Sequence, residues 1–152
     1  MRLRWMSVAA LVALVVLSCA SRASAQAVGV RAGVSGDPNQ FYVGIHAETD
    51  ELADHLRFRP NLEVGFGDNV TLAALNFEFK YDVQQKKRTD WNLYVGAGPA
   101  LNIYRSNGSS QSQGGFNIMI GLAHKGGLFT ELKVGAVNSP SVKFGVGYTF
   151  PR

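Results

Sequence analysis

Few residues in this sequence have types and spacing that suit catalysis. His46 and Glu48 stand two apart in "YVGIHAET". On an extended chain that spacing puts both on one face, where a histidine and a carboxylate are the usual pair for general acid–base work. A polar surrounding needs the same groups for pairing alone, and that is the reading adopted for them. His55 and His124 have no Asp, Glu or Cys at the spacing of metal ligands. No serine stands in a G-x-S-x-G setting. "GFG" at 65–67 and "GAG" at 96–98 are followed by no helical pattern, so neither is a phosphate loop. "KKR" at 86–88 is a solvated basic turn, with contact to anionic head groups as its second reading. No catalytic residue, cofactor or metal is predicted.

Residues 1–25, "MRLRWMSVAALVALVVLSCASRASA", have two arginines, then an unbroken apolar run from Val8 to Leu17, then Ala23-Ser24-Ala25. This is the pattern of a secretory signal peptide cleaved before Gln26. The run is too short for a transmembrane helix, which needs about 20 apolar residues. The single cysteine, Cys19, lies inside it, so the exported chain forms no disulfide. "VLSC" loosely resembles a lipidation site, but Leu17 fits it poorly and Ala23–Ala25 is the better cleavage point. Removing the segment takes away Arg2, Arg4 and Arg22, leaving twelve basic residues against eleven acids. The formal +4 of the whole chain therefore belongs largely to the leader and gives no reason to expect nucleic acid as a partner. Residues 26–152 make one domain.

That domain has a strong period of two and almost no helical period. Eight strands are predicted at 28–36, 41–49, 56–67, 70–83, 91–105, 116–125, 128–138 and 142–150. Turn-rich pieces separate them, including "DN" at 68–69 and the ten-residue "SNGSSQSQGG" at 106–115, which reads as a loop. "DELADH" at 50–55 has room for one short helical turn.

The alternation sorts residues onto two faces. One is apolar, with Val30, Val43, Ile45, Leu62, Phe77, Val95, Leu101, Ile118, Ile120, Leu132, Val134 and Phe144 among its members. The other is rich in glycine and carries six bases, Arg31, Arg57, Arg59, Lys80, Lys133 and Lys143, against five acids, Glu48, Glu63, Glu78, Asp82 and Glu131. A soluble barrel or sandwich turns its apolar face inward, and a membrane barrel turns it outward. The polar face favours the second. Glycine weakens a strand that merely faces water, but a narrow lumen needs small residues beside long ones, and opposite charges that pair where unpaired charge is costly. Threading the strands up and down puts Tyr81, Trp91, Tyr148 and Phe150 near one rim, and Phe41, Phe66, Tyr104 and Phe116 near the other, as two interfacial girdles would be.

The final strand, "KFGVGYTF", resembles the C-terminal sorting signal of bacterial outer-membrane barrels, with Lys143, Gly145, Tyr148 and Phe150 at its polar, glycine and aromatic places. Pro151 and Arg152 after the phenylalanine depart from that pattern. The chain as a whole resembles the small eight-stranded outer-membrane barrels of the OmpA/OmpX kind. The resemblance implies an all-β, antiparallel, up-and-down transmembrane barrel in the outer membrane. It further implies contact with outer-membrane lipids, reading of the last strand by the barrel assembly machinery, a monomeric state, and a structural or adhesive role. A soluble periplasmic barrel holding an apolar ligand and a barrel enzyme acting on envelope lipids are the other two readings. Three features fit the membrane barrel poorly: Pro60 and Pro99 inside strands, Phe129 on the polar face, and outer loops that are short apart from 106–115.

Overall fold

The computed structural model describes residues 25–85, 87 and 89–150. The signal-peptide reading, Cys19, Lys86, Arg88, Pro151 and Arg152 therefore lie outside the described residues, apart from Ala25. Nine strands form one antiparallel sheet: β1 (Ala25–Gly36), β2 (Gln40–Thr49), β3 (Glu51–Ala53), β4 (Leu56–Gly67), β5 (Val70–Asp82), β6 (Trp91–Ser106), β7 (Ser109–His124), β8 (Leu128–Val137) and β9 (Val142–Phe150). β3 is a short spur on β4, and the other eight are staves joined in chain order. β1 and β9 pair without interruption from Val28 opposite Phe150 to Gly36 opposite Val142. The protein is thus a closed eight-stranded up-and-down barrel with no free edge around its girth.

Local chemistry sets the tight turns. Asp68-Asn69 and Asn107-Gly108 each link strands whose flanking residues are directly paired, and all four have positive φ. Both central residues of a type I′ hairpin need that conformation, which Asn, Asp and Gly supply at least cost. The second turn corrects the sequence reading of 106–115. Only Asn107-Gly108 is turn; Ser106 ends β6 and Ser109–Gly115 opens β7. Residues 51–53 likewise form a strand, not a helical turn.

The prolines sit where the wall tolerates them. Pro60 is opposite Phe77 on β5, while on its other side the β2 ladder stops at Asn61 and the β3 spur begins at Arg57. The hydroxyl of Thr49 accepts the Phe58 N–H in that gap at 3.1 Å. Pro99 pairs with Phe116 on β7, and the β5–β6 ladder is interrupted beside it, between Asn76–Ala100 and Phe79–Ala97. A residue without an N–H costs nothing at a position where no ladder bond is made.

The apolar face points outward. Val30, Val34, Phe41, Ile45, Phe66, Ile118, Val134 and Phe144 are all exposed, Ile45 by 60%. This overturns the soluble-barrel reading, which required these side chains inside. At the rims, Trp91, Tyr148 and Phe150 face out at the end where β1 starts and β9 stops, and Phe41, Phe66 and Phe116 at the other. Tyr104 departs from the expected girdle. It is opposite Leu72, which is buried, so it belongs to the inner face.

Candidate functional site in the barrel interior

Every charged residue assigned to the inner face by alternation is drawn into one of two connected networks. The larger holds three carboxylates and four bases. Glu63 accepts from Arg31 at 3.3 Å, Lys133 at 3.1 Å and Lys143 at 2.6 Å. Glu131 takes Arg59, Arg31 at 3.3 Å and the Tyr94 hydroxyl at 2.7 Å. Glu78 lies 2.5 Å from Lys133 and 3.8 Å from Arg59. These side chains are almost wholly buried. Charge in such a setting persists only when paired and hydrogen-bonded, and here each carboxylate faces at least two cations.

The second network lies toward the end of the barrel where β1 starts and β9 stops. Glu48 meets Arg57 at 3.1 Å and Lys80 at 3.3 Å. Arg57 also reaches Glu51 at 3.4 Å and Asp82 at 3.8 Å, and Lys80 reaches Asp82 at 3.4 Å. The Lys80 ammonium stands 4.9 Å above the Tyr94 ring, which joins the two networks.

His46 and Glu48 do not act on one another. His46 Nε2 is 3.0 Å from the Thr149 hydroxyl and its ring meets Phe129 edge-on at 5.3 Å. Glu48 is engaged by Arg57 and Lys80. The other histidines stand at the same end of the barrel: His55 Nε2 is 2.7 Å from the Gln84 amide, and His124 Nδ1 accepts the Gly126 N–H at 3.0 Å.

Alternation alone did not single out the neutral filling. Asn117 donates to Asn76 at 2.9 Å, Asn76 to Asn61 at 2.7 Å, and Asn61 to the Glu78 carboxylate at 2.8 Å. This chain of amides ties β7, β5 and β4 together across the interior. Tyr42, Leu72, Met119 and Phe129 are buried inside as well. Phe129, which seemed misplaced on a polar face, is a platform for the guanidinium groups of Arg31 and Arg59, 5.4 and 5.6 Å from its centroid. Cation–π attraction lets an apolar ring serve a charged interior.

Glycine makes room for these large groups. Tyr42 is the cross-strand partner of Gly33, His46 of Gly29, Tyr94 of Gly121, Met119 of Gly96 and Phe129 of Gly147. An eight-stranded barrel is just wide enough for side chains to fill, so each large residue needs a bare neighbour. Around Tyr42, Glu63, Leu72 and Lys143 no space remains for a water. At the end where β1 starts and β9 stops, a mouth of about 210 Å³ opens between Glu48, Arg57, Lys80, His124 and Phe129.

This architecture has known counterparts. The chain is similar to the N-terminal β-barrel domain of Pseudomonas aeruginosa OprF, with a TM-score of 0.57 and 17% identity, over 82% of this chain and 98% of that one. It is also similar to Neisserial surface protein A, with a TM-score of 0.60 and 15% identity, over 83% of this chain and 95% of that one. The chain has the fold of the small eight-stranded outer-membrane barrels. No family model and no curated protein matches the sequence. The likeness to these structures is one of fold, at 17% and 15% identity.

The residues resembling a sorting signal divide between the faces of this small barrel. Lys143 is buried on Glu63, and Gly145 lies beneath the Tyr42 hydroxyl with Gly33 between them on β1. Tyr148 and Phe150 face outward, with their rings edge to face at 5.2 Å.

Proposed function

We propose that the protein is an outer-membrane barrel of the cell envelope with a structural or adhesive role and a plugged, non-conducting interior. The observation that carries this reading is the inversion of ordinary burial. Paired charges and amides fill the centre, while Val, Ile, Leu and Phe cover the outside. A contiguous apolar exterior of this kind is unstable in water and suits lipid hydrocarbon. In this reading residues 1–25 direct export and are cleaved, outer-membrane lipids surround a monomer, and the barrel assembly machinery reads Lys143, Gly145, Tyr148 and Phe150. The start of β1 and the end of β9 then lie on the periplasmic side and the β6–β7 hairpin on the outside, in keeping with short periplasmic turns and longer external extensions. Of the structural neighbours, one is a β-barrel domain and the other is named a surface protein, which is in keeping with a place in the cell envelope.

Fractionation of cells, with gel migration of the detergent-extracted protein before and after boiling, tests the reading. Recovery in the outer membrane with a heat-modifiable band is the expected result. Recovery in the soluble periplasm would overturn it.

A further inference from the structure

The outward face of the eight staves carries one formal charge. Among the described residues, Arg105 is the one lysine, arginine, aspartate or glutamate on it. It is exposed near the end of β6 and stands between two hydroxyl side chains. Thr71 on β5 is its direct partner on one side and Ser110 on β7 on the other. Directly opposite residues have Cβ atoms about 4.5–5.5 Å apart, so a guanidinium and two hydroxyls share one small patch. The ion pairs among the described residues all belong to other bases. The two acids of this end of the barrel are engaged elsewhere. Asp68 accepts the Asn39 N–H at 2.8 Å, and Asp37 faces the Ser141 hydroxyl at 3.5 Å.

Register fixes the depth of this patch. The row through Phe66 and Thr71 reaches β6 at Arg105, while Phe116 on β7 is opposite Pro99. Because the strands are tilted, the aromatic rim runs obliquely from Phe66 to Phe116 and crosses β6 near Leu101. From Trp91 at the other rim to Leu101 is about 25 Å along the membrane normal, for strands of about 3.3 Å per residue tilted by about 35–45°. That is the height of the apolar band of such a barrel. By the same geometry Arg105 stands on the order of 10 Å beyond the band, at the depth of lipid head groups. Beneath it the face turns apolar, with Ile103 opposite Ala73 and Leu101 opposite Leu75.

We propose that Arg105, Thr71 and Ser110 form a binding site for the phosphate of an outer-leaflet lipid, whose chains lie against Ile103, Ala73 and Leu101. The proposal rests on the outer-membrane reading and gives its lipid contact a place and a chemistry. Phosphate oxygens accept hydrogen bonds, and the planar guanidinium fork meets two of them at once. The flanking hydroxyls donate to the others. A cation with no acid paired to it complements an anion. The apolar surface directly below it selects an anion that carries chains over free phosphate.

The test uses the exported chain in dodecyl maltoside micelles, titrated with dioleoylphosphatidic acid and followed by NMR. Saturable shifts of the Thr71 and Ser110 amides are expected, a local reading that lipid bound at the other rim does not move. Arg105→Gln should weaken the affinity read from these shifts about tenfold or more. Arg105→Lys keeps the charge without the fork and should fall between the two. Dioleoylphosphatidylcholine, whose phosphate is covered by a cation, and inorganic phosphate at the same concentration should each give no saturable shift. No saturation of the parent by phosphatidic acid, or equal affinity in Arg105→Gln, would overturn the proposal. An equal response to phosphatidylcholine would reduce the patch to apolar contact, and an equal response to inorganic phosphate would make it a free-anion site; either overturns the proposal from the parent alone. A heat-modifiable barrel that fails these tests loses the lipid site alone. A chain that never reaches the outer membrane removes the reading beneath it.

Discussion

Phe129 and Gly147 are direct cross-strand partners on the inner face of β8 and β9, and the Phe129 ring occupies the space where a residue at 147 would carry its β-carbon. Gly147→Ala should therefore push the ring off Arg31 and Arg59 and cost about 1–3 kcal/mol, as overpacking does. Phe129→Ala should cost about 3–5 kcal/mol. The two changes share one space, so the double variant should be less destabilised than the two single effects combined. Urea unfolding in lipid vesicles measures all three, and simple additivity would show that the contact is not tight.

Glu63 holds three cations at once, so its removal leaves Arg31, Lys133 and Lys143 short of countercharge in a dry interior. Glu63→Gln should destabilise the barrel by about 3–5 kcal/mol, the range for breaking a buried pair. Glu51→Gln removes a partner from Arg57 at the half-exposed mouth, where water screens the charge, and should cost under about 1 kcal/mol. Comparable losses for the two would mean that the central network is far better hydrated than its burial implies.

The strands were legible because lipid and lumen impose opposite chemistry on alternate residues, and a period of two is strongest where that contrast is strongest. The same cause explains the misreading at 106–115. Above the apolar exterior both faces of β7 are polar, alternation has no contrast, and Ser, Gln and Gly look like loop. The Asn107-Gly108 pair was the usable signal there, since it marks a two-residue hairpin. The lumen charges could be placed by parity alone, but their partners could not. Which carboxylate meets Lys133 depends on register across strands far apart in sequence. Phe129 looked misplaced because its meaning lies in Gly147 and two arginines, each on another strand. Tyr104 was drawn to the outer girdle by its place near a strand end, although its parity put it inside.

Planar-bilayer recording should show no large, stable conductance from the parent. Arg31, Arg59, Tyr94, Lys133 and their acidic partners occupy the width of the barrel, and the space around Tyr42 and Lys143 admits no water. A steady porin-like current would refute the plugged interior.

Charge on the exterior should be far worse than charge inside. Val95 faces out from β6, four residues in from Trp91. An Arg or Lys at the bilayer midplane of a barrel costs about 2–4 kcal/mol, falling toward the interfaces. Val95→Arg should lower the folded fraction in vesicles. Asn92→Lys, three positions earlier on the opposite face, joins a polar mouth and should be milder. Equal tolerance of both would show that the apolar face does not contact lipid.

Phe150 separates assembly from stability. It lies outward at the end of β9, edge to face with Tyr148 and opposite Val28 across the closing seam. It is 48% exposed, so its truncation opens no cavity in the interior, and the cost of about 3–5 kcal/mol typical of a buried phenylalanine does not apply. Phe150→Ala should accordingly refold in detergent nearly as well as the parent. In cells the outcome should differ, because the side chain is also the terminal aromatic that the assembly machinery is proposed to read. The variant should accumulate less in the outer membrane, with the unassembled remainder in the periplasm. Measuring the outer-membrane fraction in cells beside the refolding yield in detergent tells the two roles apart. A loss confined to cells supports recognition, while equal losses in both would assign Phe150 to packing. A Phe150→Ala protein that reaches the outer membrane as efficiently as the parent would remove the sorting role from this strand.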